Sequence, residues 1–122
     1  MTKTKSQIGK SSKARGKRGE LSLVHALRDA GFTEARRTAQ YCGKAGTSDV
    51  VGIEGLHVEV KNQERLNIWS ALAQSQRDTE ANGKGDIPAI FFKRNRSGWY
   101  VALPLPNFIK LYKGELHHEK EK

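Results

Sequence analysis

Two carboxylates and a lysine stand close together in the segment SDVVGIEGLHVEVK, namely Asp49, Glu59 and Lys61. Carboxylate oxygens are the ligands that Mg²⁺ prefers, and a lysine can position a water molecule or stabilise a developing negative charge. A divalent ion held beside a lysine would polarise a phosphoryl oxygen and lower the pKa of a bound water. The three residues therefore predict metal-dependent hydrolysis of a phosphodiester. The simpler alternative is that Glu59 and Lys61 form an exposed charge pair on a solvated strand.

The relative placement of the two carboxylates depends on how two β-like stretches, 48–53 and 56–61, pair as a hairpin. A two-residue turn would put Asp49 and Glu59 on opposite faces. A three-residue loop that ends at Gly55, with this glycine in the left-handed conformation, pairs Asp49 with Glu59 instead. We prefer the second register because it separates apolar from polar side chains. Its polar face consists of Asp49, Val51, His57, Glu59 and Lys61.

A further carboxylate, Glu20, lies in a helix predicted over residues 18–30 and ended by Gly31. At about 100° per residue, Glu20 falls in the middle of the apolar arc that contains Leu23 and Leu27. A lone carboxylate there is unfavourable unless it meets a cation, a hydrogen-bond partner or a catalytic role. The alternative is an ordinary first-turn glutamate that the helix dipole favours.

The remaining elements follow from hydrophobic periodicity and turn residues. A short strand is predicted at 33–38, followed by a basic loop up to residue 47. A second helix is predicted over 64–81, and its apolar arc contains Trp69, Leu72, Ala73 and Gln76. Another strand pair is predicted at 88–93 and 98–103, and a short amphipathic helix at 104–112 with Phe108, Leu111 and Tyr112. The predicted order is α-β-β-β-α-β-β-α, or the same order without the strand at 33–38.

The charge of the chain indicates an anionic partner. Lys and Arg number 22 against 13 Asp and Glu, which gives a net charge of +9, and nucleic acid is the commonest partner of so basic a domain. Residues 1–15 are predicted to be a flexible basic arm that contacts phosphates, the alternative being a solubilising tail. Residues 16–115 are predicted to form a single domain, and residues 116–122 a charged tail.

Several classes are disfavoured by composition. The single cysteine, Cys42, excludes an intramolecular disulfide framework and a cysteine-rich zinc site. No apolar run approaches the roughly 20 residues that span a bilayer, and the basic N-terminus is not followed by the apolar stretch of a signal peptide. No glycine-rich phosphate loop is present, since Gly43, Gly46 and Gly52 are not followed by Lys-Ser or Lys-Thr, and an ATPase is therefore not expected. We expect a cytoplasmic protein without a small-molecule cofactor.

The sequence resembles the PD-(D/E)xK nuclease superfamily, and its pattern is similar to that of archaeal-type Holliday junction resolvases, including phage-encoded relatives. The resemblance lies in GKRGELSLVHALRDAGF, ARRTAQYCGKAGTSDVV and HVEVK, and spans about residues 16–80. It implies an α/β fold with a restriction-endonuclease-like core, in which helices flank a mixed central β-sheet. Ser48 stands where the name motif has proline, a position that contributes geometry rather than chemistry.

The resemblance also implies roles for individual residues. Asp49 and Glu59 would ligate Mg²⁺, for which Mn²⁺ would substitute, together with the backbone carbonyl of Val60. Lys61 would be the catalytic lysine, and Glu20 would aid metal or water binding. Ser48 is predicted to lie next to the catalytic residues. Gln76 is predicted either to face the site or to make a structural hydrogen bond, and His57 is predicted to lie in the groove without being a ligand. The expected DNA-contacting residues are Lys10, Lys13, Arg15, Lys17, Arg18, Arg36, Arg37 and Lys44.

The function implied is that of a structure-selective DNA endonuclease, specifically a Holliday junction resolvase acting in recombination and repair. Its substrate would be a branched, four-way DNA junction, nicked symmetrically by a C2 homodimer. One alternative is another PD-(D/E)xK nuclease of nicking, repair or restriction type. The other is a non-catalytic basic nucleic-acid-binding protein, for which the three carboxylates would have no joint use.

Overall fold

The computed structural model describes residues 5–38 and 47–114, with side chains from residue 12 onward. The helices and strands in these ranges are, in chain order, α1 (Lys5–Asp29), β1 (Arg36–Arg37), β2 (Val50–Val51), β3 (Leu56–Asn62), α2 (Ile68–Asn82), β4 (Ile87–Lys93), β5 (Tyr100–Ala102) and α3 (Leu105–Lys113). The predicted order α-β-β-β-α-β-β-α is confirmed, including the short first strand.

The five strands form one mixed sheet in the order β1-β2-β3-β4-β5. The central strands β3 and β4 are parallel, and the other neighbouring pairs are antiparallel. A parallel pair needs a crossover connection, which α2 supplies between β3 and β4. The mixed sheet flanked by helices confirms the predicted fold class.

Helix α1 begins earlier than the sequence pattern predicts. Its backbone is helical from Lys5 rather than from residue 18, so most of the predicted flexible arm has helical structure. The segment contains no proline, and it is tied to the sheet by a hydrogen bond of 3.1 Å from Asn62 Nδ2 to the carbonyl oxygen of Arg15. The helix ends as predicted: Gly31 has φ 111°, and the N–H groups of Gly31 and Phe32 cap the last carbonyls.

One face of the sheet packs against α1. Leu23 and Val24 are buried there against Val58, Val60 and Phe91, and burial of each such side chain is worth about 1.5–3 kcal/mol. The helix also approaches the sheet closely at Gly19. A Cβ atom on Gly19 would lie 2.8 Å from Cβ of Asn62, the residue that follows Lys61. Helix α1 therefore lies directly against the strand end next to Lys61.

Helix α2 packs against β4 and β3 with a different side from the one predicted. Its buried residues are Ala71, Ser75 and Thr79, whereas Trp69 is 78% exposed and Gln76 is exposed as well. The predicted arc of Trp69, Leu72, Ala73 and Gln76 is therefore wrong. Small side chains four residues apart let a helix lie close to a sheet, and an indole at the same place would hold the two apart.

The ends of α2 are set by local side chains. Asn67 caps the first turn by accepting a hydrogen bond of 3.1 Å from the N–H of Ser70, so the helix begins at Ile68 rather than at residue 64. Gly83, with φ 68°, ends it within the predicted NGKG stretch.

The β2–β3 hairpin has the predicted register. Val50 pairs with Val58 as that register requires, and the N–H of Asp49 donates to the carbonyl of Val58 at 2.8 Å. The N–H of Leu56 donates to the carbonyl of Ile53 at 3.2 Å, and Gly55 has φ 87°, as the three-residue loop requires. Both faces of β3 are covered, because the four consecutive residues 57–60 are all buried.

The last helix, α3, follows Pro104 and has no buried residue. Within residues 5–38 and 47–114, no helix combines the length and the apolar character needed to cross a bilayer.

Candidate active site

The carboxylates of Asp49 and Glu59 meet across the β2–β3 pair. A hydrogen bond joins the two side chains, and Oδ2 of Asp49 also accepts a hydrogen bond of 2.8 Å from the backbone N–H of Val60. Asp49 is half-buried and Glu59 is only 9% exposed. The alternative of an exposed Glu59–Lys61 charge pair is therefore wrong for Glu59.

The surroundings of Glu59 strongly disfavour its ionised form. The pKa of Glu59 is raised from 4.5 to about 9, chiefly by burial and then by the charge of Asp49, the hydrogen bond to Asp49 and the charge of Asp78. Lys61 opposes this shift. Glu59 therefore holds its proton at neutral pH unless a cation takes the place of that proton.

This donor set fits a divalent cation. Two desolvated carboxyl groups side by side are unfavourable when both are ionised, and a bound cation would remove that repulsion. In the part of the chain that the structure describes, no three Asp, Glu, His or Cys side chains form a group able to hold a metal. Asp49 and Glu59 would be side-chain ligands of a cation bound here.

Lys61 lies two residues beyond Glu59 on β3, and alternate side chains of a strand point to the same face. It is half-buried, and its charge lowers the pKa of Glu59. The structure thus brings Asp49, Glu59 and Lys61 together at one end of β3.

Glu20 instead forms an ion pair with Arg37. Nε of Arg37 lies 2.9 Å from Oε1 of Glu20, and the two side chains are 23% and 21% exposed. Arg37 pairs with Val50 across β1 and β2, and the N–H of Thr38 donates to the carbonyl of Asp49 at 3.0 Å. Glu20 therefore pairs with Arg37 on β1, one strand away from Asp49, rather than with the carboxyl groups of Asp49 and Glu59.

Two residues beneath the site have positions that the sequence pattern does not predict. His57 is 1% exposed, with Nδ1 3.9 Å from Oε1 of Glu59, so its predicted place in an open groove is wrong. Asp78 of α2 is half-buried and acts on Glu59 through space. Asp78 borders the buried side of α2, which consists of Ala71, Ser75 and Thr79. The sequence pattern indicates Asp78 only when these small residues are recognised as that buried side.

The two other residues expected near the site differ in placement. The carbonyl oxygen of Ser48 accepts a hydrogen bond from Oγ1 of Thr38, so Ser48 helps to fix β1 beside Asp49. The structure does not bring Gln76 to the site. Its side chain lines a separate depression together with Glu80 and Asn107.

The described members of the predicted DNA-contacting set lie in α1 and β1. Arg15 pairs with Glu64 at 2.9 Å, and Arg36 donates to the carbonyl of Glu34 at 3.0 Å. The side chain of Lys10 and all of Lys44 lie outside the described part of the chain. The exposed members of the set are Lys13, Lys17, Arg18 and Arg36.

Comparison with known proteins agrees with this geometry. A family model described as phage putative PDDEXK endonuclease matches residues 11–120. Among solved structures, Hjc of Archaeoglobus fulgidus, a Holliday junction resolvase from an archaeal hyperthermophile, is similar to this chain with 25% sequence identity and a TM-score of 0.51. The similarity covers 72% of this chain and 71% of that one. No curated protein matches the chain.

Proposed function

The chain belongs to the phage putative PDDEXK endonuclease family, and we propose that it resolves four-way DNA junctions by paired symmetric nicks. It is a nuclease of the PD-(D/E)xK type, and nucleases of this type generally use divalent metal ions. The observation that most supports the proposal is the hydrogen-bonded pair of half-buried Asp49 and buried Glu59 beside Lys61. The similarity to a structure described as a Holliday junction resolvase supports the choice of substrate.

We assign the catalytic roles as follows. Asp49, Glu59 and the backbone carbonyl of Val60 would hold Mg²⁺, and Mn²⁺ would substitute for it. Such an ion supplies Lewis acidity and a bound water of lowered pKa. The N–H of Val60 fixes the orientation of the Asp49 carboxylate, and the Lys61 ammonium group would stabilise the negative charge that develops on the phosphoryl oxygens.

The Glu20–Arg37 ion pair extends this site towards the DNA backbone. Arginine presents a planar fork of N–H donors that suits phosphate oxygens. We propose that Arg37 contacts a phosphate near the scissile bond and that Glu20 holds its guanidinium in place, in addition to any contact of Glu20 with a metal-bound water. The remaining basic residues of α1 and β1 would bind phosphates further away, and this binding reads shape rather than sequence.

Two symmetric nicks require two active sites, which a C2 homodimer supplies. An apolar surface suited to such pairing lies on β5 and α3, and we call it the α3 surface. The strand β5 is at the edge of the sheet, and edge strands expose unpaired backbone groups. Clustered exposed apolar side chains are typical of protein interfaces. The α3 surface consists of the edge of β5 together with the exposed side chains that share one side of α3, namely Leu105, Phe108, Ile109 and Tyr112.

The proposal is tested by mapping cleavage of labelled four-way junction, flap, duplex and single-stranded DNA in Mg²⁺. A junction resolvase produces paired nicks at symmetric positions in opposing strands of the junction and leaves the plain duplex intact. Equal cutting of duplex would instead assign a nicking, repair or restriction-type role to the same site. Binding of every substrate without cleavage of any would contradict the enzymatic proposal.

A further inference from the structure

The turn between β4 and β5 is a rigid, basic element outside the predicted DNA-contacting set. We call residues 94–97 (Arg94, Asn95, Arg96 and Ser97) the basic turn. Oγ of Ser97 accepts from the N–H of Arg94 at 3.0 Å and lies 3.0 Å from its carbonyl oxygen, and the N–H of Ser97 donates to the same carbonyl at 3.2 Å. Arg96 has φ 64°, a conformation uncommon for residues other than glycine. The turn therefore presents its side chains from a fixed backbone.

The basic turn lies at the same end of the sheet as Lys61. Strands β3 and β4 are parallel, and Lys61 pairs with Phe92 and Asn62 with Lys93. Arg94 follows directly after this last pair. From the spacing and rise of neighbouring strands, its backbone lies about 8 Å from that of Lys61. A DNA strand with its scissile phosphate at Lys61 would thus pass close to the turn.

The basic turn is also joined to the basic helix α1. Nη2 of Arg15 donates to Oε2 of Glu64 at 2.9 Å and to Oδ1 of Asn95 at 3.2 Å, and the N–H of Asn95 donates to the same oxygen of Glu64 at 2.5 Å. Glu64 therefore connects α1 and the turn. Arg18 lies one helical turn from Arg15, on the same side of α1.

The two arginines of the turn are available to a ligand. Arg94 and Arg96 are both exposed, and neither forms an ion pair within residues 12–38 and 47–114. The charge of Arg94 acts on Glu64 through space and helps to lower the pKa of that carboxyl group. The neighbouring Lys93 is already engaged, since its ammonium group lies 5.8 Å from the centre of the Trp99 ring. Exposed guanidinium groups on a fixed backbone suit bidentate contacts with phosphate oxygens.

We propose that the basic turn is a second phosphate-contacting element, which binds the DNA backbone beside the active site through Arg94 and Arg96. This inference rests on the proposed function in taking DNA as the substrate. It places DNA contacts on both sides of the Glu64 connection, with α1 on one side and the basic turn on the other.

The experiment compares DNA affinities in the absence of divalent metal, so that no cleavage occurs. Dissociation constants for the four-way junction are measured at salt concentrations from about 50 to about 300 mM. In this range the affinity depends strongly on salt when a protein contacts phosphates. The test variant is Arg94→Gln/Arg96→Gln. The control is Arg77→Gln/Lys84→Gln, which removes two exposed positive charges from the C-terminal half of α2 and from the segment between α2 and β4.

The test variant is expected to lower the slope of log affinity against log salt by about 1.8, which corresponds to two lost phosphate contacts. Its dissociation constant is expected to rise roughly tenfold at 0.1 M salt, whereas the control keeps the wild-type slope. The charge-retaining variant Arg94→Lys/Arg96→Lys is expected to keep the slope, which excludes misfolding of the turn as the cause.

Equal slopes and affinities for the test variant and the control would overturn the inference, as would loss of the slope in the lysine variant. Wild-type protein that binds the junction without cutting it in Mg²⁺ would refute the proposed function alone, because the binding comparison still decides the role of the turn. Wild-type protein that does not bind DNA would overturn the inference.

Discussion

The carboxyl group of Glu59 is hydrogen-bonded to the carboxylate of Asp49 across the β2–β3 pair, and Glu59 is only 9% exposed. This relationship explains why two acidic side chains can share a buried site. Burial and the neighbouring negative charges raise the pKa of Glu59 to about 9, so the metal-free pair holds a proton at neutral pH. A cation that binds here replaces this proton, and its affinity is expected to increase with pH.

The first prediction concerns stability against pH in the absence of divalent metal. The folded protein retains the Glu59 proton, whereas the unfolded chain loses it above about pH 4.5. The stability contributed by this group therefore falls as the pH rises from 4.5 towards 9. Glu59→Gln has no proton to lose at this position. The melting temperature of Glu59→Gln minus that of wild type is therefore expected to be larger at about pH 8.5 than at about pH 5, both within this window.

Thermal unfolding of both proteins at the two pH values measures this difference. Glu54→Gln is the matched control, because it removes an exposed carboxylate from the loop of the same hairpin. A difference between Glu59→Gln and wild type that does not change with pH would contradict the buried, protonated state of Glu59.

The second prediction concerns the close approach of α1 to β3. In Gly19→Ala the new methyl group would lie 2.8 Å from Cβ of Asn62, so the helix must shift, at a cost of about 1–3 kcal/mol in the free energy of unfolding. Gly16→Ala in the same helix meets no atom within 4 Å, and is expected to stabilise by about 0.5–1 kcal/mol. Urea unfolding of the two variants gives both values, and equal effects of the two substitutions would refute the close packing.

The third prediction separates the positioning role of Glu64 from its charge. Removal of an acid from a phosphate-binding surface strengthens DNA binding if charge alone matters. Because Glu64 connects Arg15 to Asn95, Glu64→Ala is instead expected to weaken junction binding several-fold. Glu64→Gln, whose amide oxygen can accept the same hydrogen bonds, is expected to bind at least as tightly as wild type.

Fluorescence titration of a labelled junction compares the two Glu64 variants at a single salt concentration. Tighter binding by Glu64→Ala than by wild type would show that Glu64 only repels the DNA.

The fourth prediction concerns the oligomeric state. Phe108 of the α3 surface is 49% exposed, and Phe108→Glu would place a charge in the proposed interface, where an unpaired charge is strongly unfavourable. Light scattering after size exclusion is expected to give twice the chain mass of 13.6 kDa for wild type and the monomer mass for this variant. Phe32→Glu is the control, since Phe32 is also 49% exposed but follows α1. A monomeric wild type would contradict the dimer.

The parts of the fold that could be predicted from the sequence are those set by local chemistry. Gly31 and Gly83 end their helices through left-handed or positive-φ caps, and Gly55 closes the hairpin loop that pairs Val50 with Val58. Alternation of apolar and polar residues along β3 was sufficient to choose the register, because a shift by one residue would have reversed its two faces.

The features that could not be predicted depend on distant partners. The buried side of α2 is formed by Ala71, Ser75 and Thr79 rather than by its largest apolar residue, because the distance between helix and sheet favours small side chains. The anchoring of α1 at Arg15 depends on Asn62 and on Glu64, both more than 40 positions along the chain. The Glu20–Arg37 pair likewise joins separate elements, and it satisfies the carboxylate whose position on the apolar arc was unexplained.

The central claim is that Asp49 and Glu59 hold the ion on which cleavage depends. The most direct test is the single-turnover rate of junction cleavage in Mg²⁺ by wild type, Asp49→Asn, Glu59→Gln and the control Glu54→Gln. We expect the first two variants to lose at least about 100-fold in rate while binding the junction as tightly as wild type or more so, and Glu54→Gln to cut at the wild-type rate. Cleavage by Glu59→Gln at the wild-type rate would contradict the claim.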